Sequence, residues 1–364
     1  MQDKFKPLVG ISMGDPAGIG PEIVAKTVAD PAVQVLCRPV VIGDAKVMEQ
    51  AIRLAGVPLE CRVVRSVLDA FPKRAKRDTH HFDACQEKVG VLNLIDLENV
   101  DLPQVAVGQI SAAAGHAAFE AVRKTIELAM AGELDATVTA PIHKESINLA
   151  GHAFAGHTEI YAHYTGSKDV AMMLVSGPLR VVHVTTHVSL RQACDLIRKE
   201  RVFRVIRLFH EALQQLGIVH PRLAVAGLNP HAGDGGLFGD EEIREIAPAV
   251  EEAVREGIRA EGPLPPDTIF SFLRGGYYDG CVAMYHDQGH IAFKMAEFEW
   301  DNQSQVMKSV RGINVTLGLP IVRVSVDHGT AFPIAGKGVA RHESMVEAVE
   351  YAVTLARRRA RRNL

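Results

Sequence analysis

Three histidines each close an apolar run: RVVHVTTH (180–187) ends in His187, RLAVAGLNPH (222–231) in His231 and CVAMYH (281–286) in His286. Such runs read as strands, and in open α/β sheets ligands bind beyond the carboxyl ends of the strands. Three imidazoles delivered to that edge by separate strands could share one zinc, cobalt or manganese ion, with positions left open for substrate oxygens. Any one of them is accounted for equally well as a turn cap or a partner for a carbonyl. The common placement of all three brings a shared metal or catalytic site level with that plainer reading. The gaps between them are long and match no zinc-finger spacing.

Other residues suit protons or anions. Lys294 interrupts the apolar run IAFKM (291–295); a buried lysine serves proton transfer, whereas a half-buried one simply snorkels. Arg323 interrupts IVRVSV (321–326), just before Asp327-His328-Gly329-Thr330, and a guanidinium there suits bidentate anion binding. GHTE (156–159) follows a glycine turn and opens a helix, which places His157 and Thr158 to donate to a phosphate or hydroxyl at the positive helix end. Thr158 reads equally as a simple N-cap. GDPAGIGPE (14–22) joins a strand to a helix but matches neither GxGxxG nor a Walker loop, so it locates no cofactor. It is a tight turn or a loop passing close to a ligand. His143-Lys144 repeats the strand-end placement, and His183, in the same run as His187, reads as packed.

The scaffold for these residues is an alternation of elements. Residues 7–13, 39–43, 61–64, 136–140, 171–175, 179–185, 222–227, 281–285, 313–316 and 321–326 read as strands. A helix starts near 21, and 112–131, 190–216, 241–256 and 343–359 carry helical periodicity. The alternation predicts an α/β protein. GPLPP (262–266) reads as a rigid turn, and 78–107 and 299–309 as irregular insertions. The 364 residues, 47% hydrophobic, are enough for two moderate domains or one large one. A net charge of −3 excludes a sequence-independent nucleic-acid binder, which needs basic excess. The basic RRRARR (357–362) reads as a solvated helix end beside the negative pole of the dipole. The five cysteines include no CxxC pair, no window is apolar enough to span a membrane, and the N-terminus has no signal-peptide core. A soluble, cytoplasmic protein is expected.

Ten strings then run in order along nearly the whole chain: GDPAGIGPE, APIHK (140–144), GHTE, TTH (185–187), GLNPHAGD (227–234), LFGDEEI (237–243), GPLPPDT (262–268), AMYHDQGH (283–290), INVTLGLP (313–320) and SVDHGTAF (325–332). In this combination the chain resembles the 4-hydroxythreonine-4-phosphate dehydrogenase family. The resemblance implies an isocitrate/isopropylmalate dehydrogenase-like fold of two α/β domains with the active site in the cleft between them. On that template 1–139 with 290–364 forms one domain and 140–289 the other. It implies a homodimer whose metal and substrate sites are shared between subunits. It also implies oxidation of the C3 hydroxyl of a 4-phosphorylated four-carbon acid by NAD or NADP, followed by decarboxylation. Carried over position by position, the metal ligands are His187, His231 and His286, for one divalent ion (Zn, Co, Mg or Mn). The substrate-binding positions are His157, Thr158, Lys294, Asn314 and Arg323, with Lys294 also the candidate for proton transfer.

Two departures bear on the substrate. The biosynthetic members commonly read YHDQGLP, whereas this chain has YHDQGHI with His290. That resembles the branch handling 4-phospho-D-threonate and 4-phospho-D-erythronate. Residues 299–309 also lengthen the connection between Lys294 and Asn314. A further branch acts on non-phosphorylated aromatic cis-dihydrodiol dicarboxylates; the intact GHTE, Asn314 and Arg323 count against it. From other classes, a nicotinamide-independent metal hydrolase or lyase and a non-catalytic phosphometabolite-binding protein are both disfavoured by the full set of motifs.

Overall fold

A computed structural model describes residues 5–71, 90–302 and 306–362, with the backbone alone at 306–310 and 362. Its strands are β1 (Leu8–Ser12), β2 (Arg38–Gly43), β3 (Glu60–Val64), β4 (Val91–Asp96), β5 (Ala136–Thr139), β6 (Ala171–Ser176), β7 (Leu179–His183), β8 (Arg222–Ala226), β9 (Arg259–Leu264), β10 (Gly280–Ala283), β11 (Phe298–Asp301), β12 (Val306–Val310), β13 (Ile313–Leu317) and β14 (Arg323–Val326). Helices separate most of them, and the chain is the α/β protein that its alternation predicts.

Packing divides the chain into two compact units, Met1–Gly166 with Pro320–Leu364, and Ser167–Leu319. These bounds differ from 139/140 and 289/290 for identifiable reasons. Helices Lys144–Leu149 and His157–Thr165 pack on helix Ala112–Met130, which carries 140–166 into the first unit. Helix His286–Glu297 packs on β7 and β10, which keeps it in the second.

The first unit is built on a wholly parallel sheet in the order β3-β4-β2-β1-β5-β14. Its central strands β1 (LVGIS) and β5 (ATVT) are buried along their whole length, as apolar runs covered on both faces must be. Leu8, Val40, Ile42, Ile95 and Leu134 meet in one core cluster of this unit. The second unit orders its strands β13-β6-β7-β10-β8-β9. The β13-β6 and β6-β7 pairs are antiparallel, while β7, β10, β8 and β9 run parallel. The consequence matters for the site: β7, β10 and β8 are neighbours with their carboxyl ends on one edge, and the segments bearing His187, His286 and His231 leave from those ends.

Several local expectations change. The IAFKM run, whose pattern fits a strand or a helix, is helical, inside His286–Glu297, and continues the helix that His286 begins. The GPLPP segment starts within β9, where Gly262-Pro263-Leu264 extends beside β8. Residues 190–216 form two helices, Leu190–Leu196 and Lys199–Gln215. The break at Ile197-Arg198 is stabilised by Glu245, 46 positions away, whose carboxylate accepts from the Lys199 N–H at 2.8 Å. The 298–310 segment is an antiparallel β11-β12 pair, with 303–305 outside the described residues. Of the 78–107 stretch, expected to be irregular, 91–96 forms β4, and residues 78–89 lie outside the described residues, as does Cys85. Cys37, Cys61, Cys194 and Cys281 are thiols. Among the described residues no helix is long and apolar enough to cross a membrane.

Candidate active site

In the second unit the three strand-end histidines acquire distinct settings. His286 is the first residue of its helix, and its Nδ1 lies 2.7 Å from Asp287 Oδ1. His231 Nδ1 lies 3.3 Å from Asp234 Oδ2. A carboxylate only accepts, so both rings donate through Nδ1–H and present a lone pair on Nε2, the carboxylate–imidazole arrangement that orients metal ligands. His187, exposed beyond the end of β7, has its ring centre 5.9 Å from that of His286. Two imidazoles on one zinc, at about 2 Å from metal to nitrogen, place their ring centres roughly 5–6 Å apart. Donor type, ring orientation and this spacing therefore fit a divalent ion. Among the described residues, however, no three His, Cys, Asp or Glu side chains come close enough to hold one. The structure brings His187 and His286 together and leaves His231 on the adjoining strand's loop without closing the trio.

The loops that carry these rings are tied down by buried polar side chains. His231, Ala232, Gly233, Asp234 and Gly235 all have positive φ, a left-handed turn that costs non-glycine residues about 1–2 kcal/mol each. Glu242 holds its entrance: Oε1 accepts from the Leu228 and Asn229 N–H groups, each at 2.7 Å, and Oε2 accepts from Asn229 Nδ2 at 2.9 Å. Gln288 links the neighbouring strands: its Oε1 accepts from the Met284 N–H at 2.7 Å and its Nε2 donates to the Gly227 carbonyl at 2.8 Å. The β8 and β10 ends are thus fixed to each other through one amide.

Beneath His286 lie two further imidazoles. The His290 ring stacks on His286 at 3.7 Å between centres and 10° between planes, and its Nδ1 is 3.0 Å from the His286 carbonyl. His183 lies 4.7 Å from His290 by ring centres, with Nδ1 3.3 Å from the Met172 carbonyl. Burial, reinforced by the charges of neighbouring histidines, lowers His290 to about 2; burial lowers His183 to about 4 despite its bond to Met172. Both rings are neutral at physiological pH. Lys294, half-buried one turn beyond His290, sets its Nζ 5.4 Å from the centre of the Phe298 ring. Asn314 is half-buried on β13 opposite Leu174 of β6.

The first unit gathers the remaining positions. His157 and Thr158 open helix His157–Thr165 behind Gly156, an N-cap without a side-chain bond, so the first turn's N–H groups carry no cap from it. His157 as a residue is half-buried, but its Nε2 is fully buried and has no hydrogen-bond partner. Burial and then the Arg323 charge hold its pKa well below that of an ordinary imidazole. Arg323 is 2% exposed on β14 and donates through Nη2 to Thr139 Oγ1 at 3.1 Å. Its guanidinium lies 5.6 Å from the Tyr161 ring centre. Burial lowers its pKa to about 10 against the opposing influence of Tyr161 and Glu159, so it stays charged. A buried cation thus lies near an unpartnered imidazole atom at a helix start.

The glycine-rich loop packs on the APIHK turn. The Asp15 N–H donates to the Pro141 carbonyl at 2.8 Å, and Gly14 has φ +76° where a Cβ would meet that carbonyl at 2.5 Å. The strand-end pattern reached the histidines but not Glu242, Gln288 or Tyr161. Glu242 and Gln288 sit inside the quoted strings LFGDEEI and AMYHDQGH, yet Glu242 bonds a loop 13 and 14 positions away and Gln288 ties Met284 to Gly227, 61 positions from it.

The chain is similar throughout its length to known proteins. A curated relative from Symbiobacterium thermophilum, 47% identical over 97% of this chain and 99% of its own, carries the provisional name D-threonate 4-phosphate dehydrogenase. Among solved structures, a 4-hydroxythreonine-4-phosphate dehydrogenase from Klebsiella pneumoniae matches with TM-score 0.78 and 41% identity, covering 98% of this chain and 100% of that one. A terephthalate 1,2-cis-dihydrodiol dehydrogenase from Burkholderia xenovorans LB400 matches with TM-score 0.62 and 30% identity over 96% and 98%. The family model for the pyridoxal phosphate biosynthetic protein PdxA matches residues 35–352, and the chain belongs to that family of dehydrogenases, oxidoreductases acting on CH–OH groups.

Proposed function

We propose that this chain is a metal-dependent, NAD- or NADP-linked dehydrogenase of a 4-phosphorylated four-carbon hydroxy acid. D-threonate 4-phosphate or its erythronate epimer is the first choice, with the β-keto acid product losing CO2. The carrying observation is the pair of carboxylate-oriented imidazoles, His286 and His231, on the ends of adjacent parallel strands, with His187 beside His286. The names of the relatives supply the substrate class. A divalent ion held by His187, His231 and His286 would polarise the substrate's hydroxyl and carboxylate, while the nicotinamide accepts the hydride. Arg323 and the N–H groups at His157-Thr158 would bind the phosphate and carboxylate charge. Neutral His157 would offer a hydrogen bond without adding a cation next to Arg323. Lys294 would move the proton of the reacting hydroxyl, and Asn314 would orient the substrate. In this reading the working form is a cytoplasmic homodimer whose subunits share each site.

The lower similarity to the dihydrodiol enzyme weighs against a non-phosphorylated aromatic diol dicarboxylate. The test is a panel with divalent metal and each nicotinamide: D-threonate 4-phosphate, D-erythronate 4-phosphate, 4-hydroxythreonine 4-phosphate and a cis-dihydrodiol dicarboxylate. The proposal expects the highest kcat/KM on one of the first two. A preference for the dihydrodiol overturns it, and turnover without any nicotinamide would point to hydrolase or lyase chemistry instead.

A further inference from the structure

Beside His286 lie two imidazoles that no step above uses, and their geometry is specific. His290 lies face to face with His286 at 3.7 Å and 10°. Its Nδ1–H donates to the His286 carbonyl at 3.0 Å, a bond that fixes the His290 ring plane because a carbonyl can only accept. His183 supports it from below at 4.7 Å, itself anchored on the Met172 carbonyl of β6. Gly289 permits this layering: a Cβ there would collide with His183 Nε2, so any larger residue lifts the helix off His183. On the solvent side, the Asp287 carboxylate fixes His286 Nδ1.

We propose that His290, seated on His183, is a positioning residue that sets the plane of the His286 imidazole and so aims its Nε2. Asp287 alone fixes one atom of the ring; it leaves rotation about that contact open. A flat neighbour in stacking contact removes that rotation. An aliphatic side chain of similar volume would fill the space but would not define a plane. The inference rests on reading His286 as a metal ligand.

The experiment measures zinc affinity of the metal-free full-length protein by competition with a chelating indicator, with thermal unfolding run alongside. His290→Leu is expected to bind zinc about tenfold more weakly than wild type, the scale of outer-shell losses, and His290→Phe, which keeps a flat ring, within about threefold of wild type. Gly289→Ala is expected to weaken binding as His290→Leu does, by a route that leaves both rings present. His290→Leu binding as tightly as wild type while His286→Ala does not would overturn the positioning role. So would equal losses in His290→Phe and His290→Leu. His286→Ala binding zinc like wild type would instead overturn the metal reading beneath it. Should His290→Leu unfold early, the Phe and Gly289 variants decide the matter.

Discussion

Arg323 is the residue whose setting says most about the ligand. Its guanidinium, 2% exposed, donates to Thr139 Oγ1 and lies 5.6 Å from an aromatic face, and the proposed function gives it an anion to bind. Arg323→Lys keeps the charge but loses the planar fork, and should lower kcat/KM on the phosphorylated substrate by about tenfold or more, chiefly through KM. An unchanged KM would remove Arg323 from the binding site. His183 gives a prediction in pH. Its folded pKa of about 4 lies below the 6.5 of an ordinary imidazole, so between those values the unfolded chain binds a proton that the folded chain does not. Stability therefore falls as pH drops through that window, by up to ~1.4 kcal/mol per unit from this ring. Denaturant unfolding at pH 7 and 5 should show a shallower loss for His183→Gln than for wild type; equal slopes would contradict the assignment.

At the scale of elements, the site depends on connections between strand ends more than on any single loop. Gln288→Leu removes both bonds that join the β8 and β10 ends and leaves a backbone N–H and C=O unpaired, at about 1–3 kcal/mol for each orphaned group. Urea unfolding should register that loss, and zinc affinity should drop with it; a variant as stable as wild type would show that water replaces the amide. Glu242→Gln should speed hydrogen exchange at the Leu228 and Asn229 amides, which its carboxylate now accepts from. Here the limits of the sequence are physical. The histidines were legible because each ends an apolar run, and period and placement are local properties. Glu242 and Gln288 were not, since nothing local says that a helix carboxylate reaches back to a left-handed turn. The same holds for Glu245 and the helix break at Ile197, and for Lys294, whose apolar surroundings fit a strand as well as the helix that the His286 turn begins.

For the molecule as a whole, alternation of strands and helices predicted the α/β class, while the division into units followed from side-by-side packing that no composition change marks. Within the first unit one cluster joins helix Gly20–Ala29 to the segment that precedes helix Glu343–Arg362. Lys26 Nζ donates to Glu22 Oε1 at 2.7 Å and to the Gly338 and Ala340 carbonyls at 2.9 and 2.7 Å, and the same Glu22 oxygen accepts from the Ala340 N–H. Lys26→Met leaves Glu22 buried without its cation, and should lower stability by roughly 3–5 kcal/mol in urea unfolding. A loss under 1 kcal/mol would show that the C-terminal segment is held by its helix alone. The measurement that tests the account most directly is simultaneous detection of reduced nicotinamide and CO2 with D-threonate 4-phosphate, with and without a metal chelator. Equal amounts of both products are expected, with loss of both on chelation and recovery on adding a divalent ion. Turnover that leaves the nicotinamide oxidised, or full activity in the chelator, would contradict it.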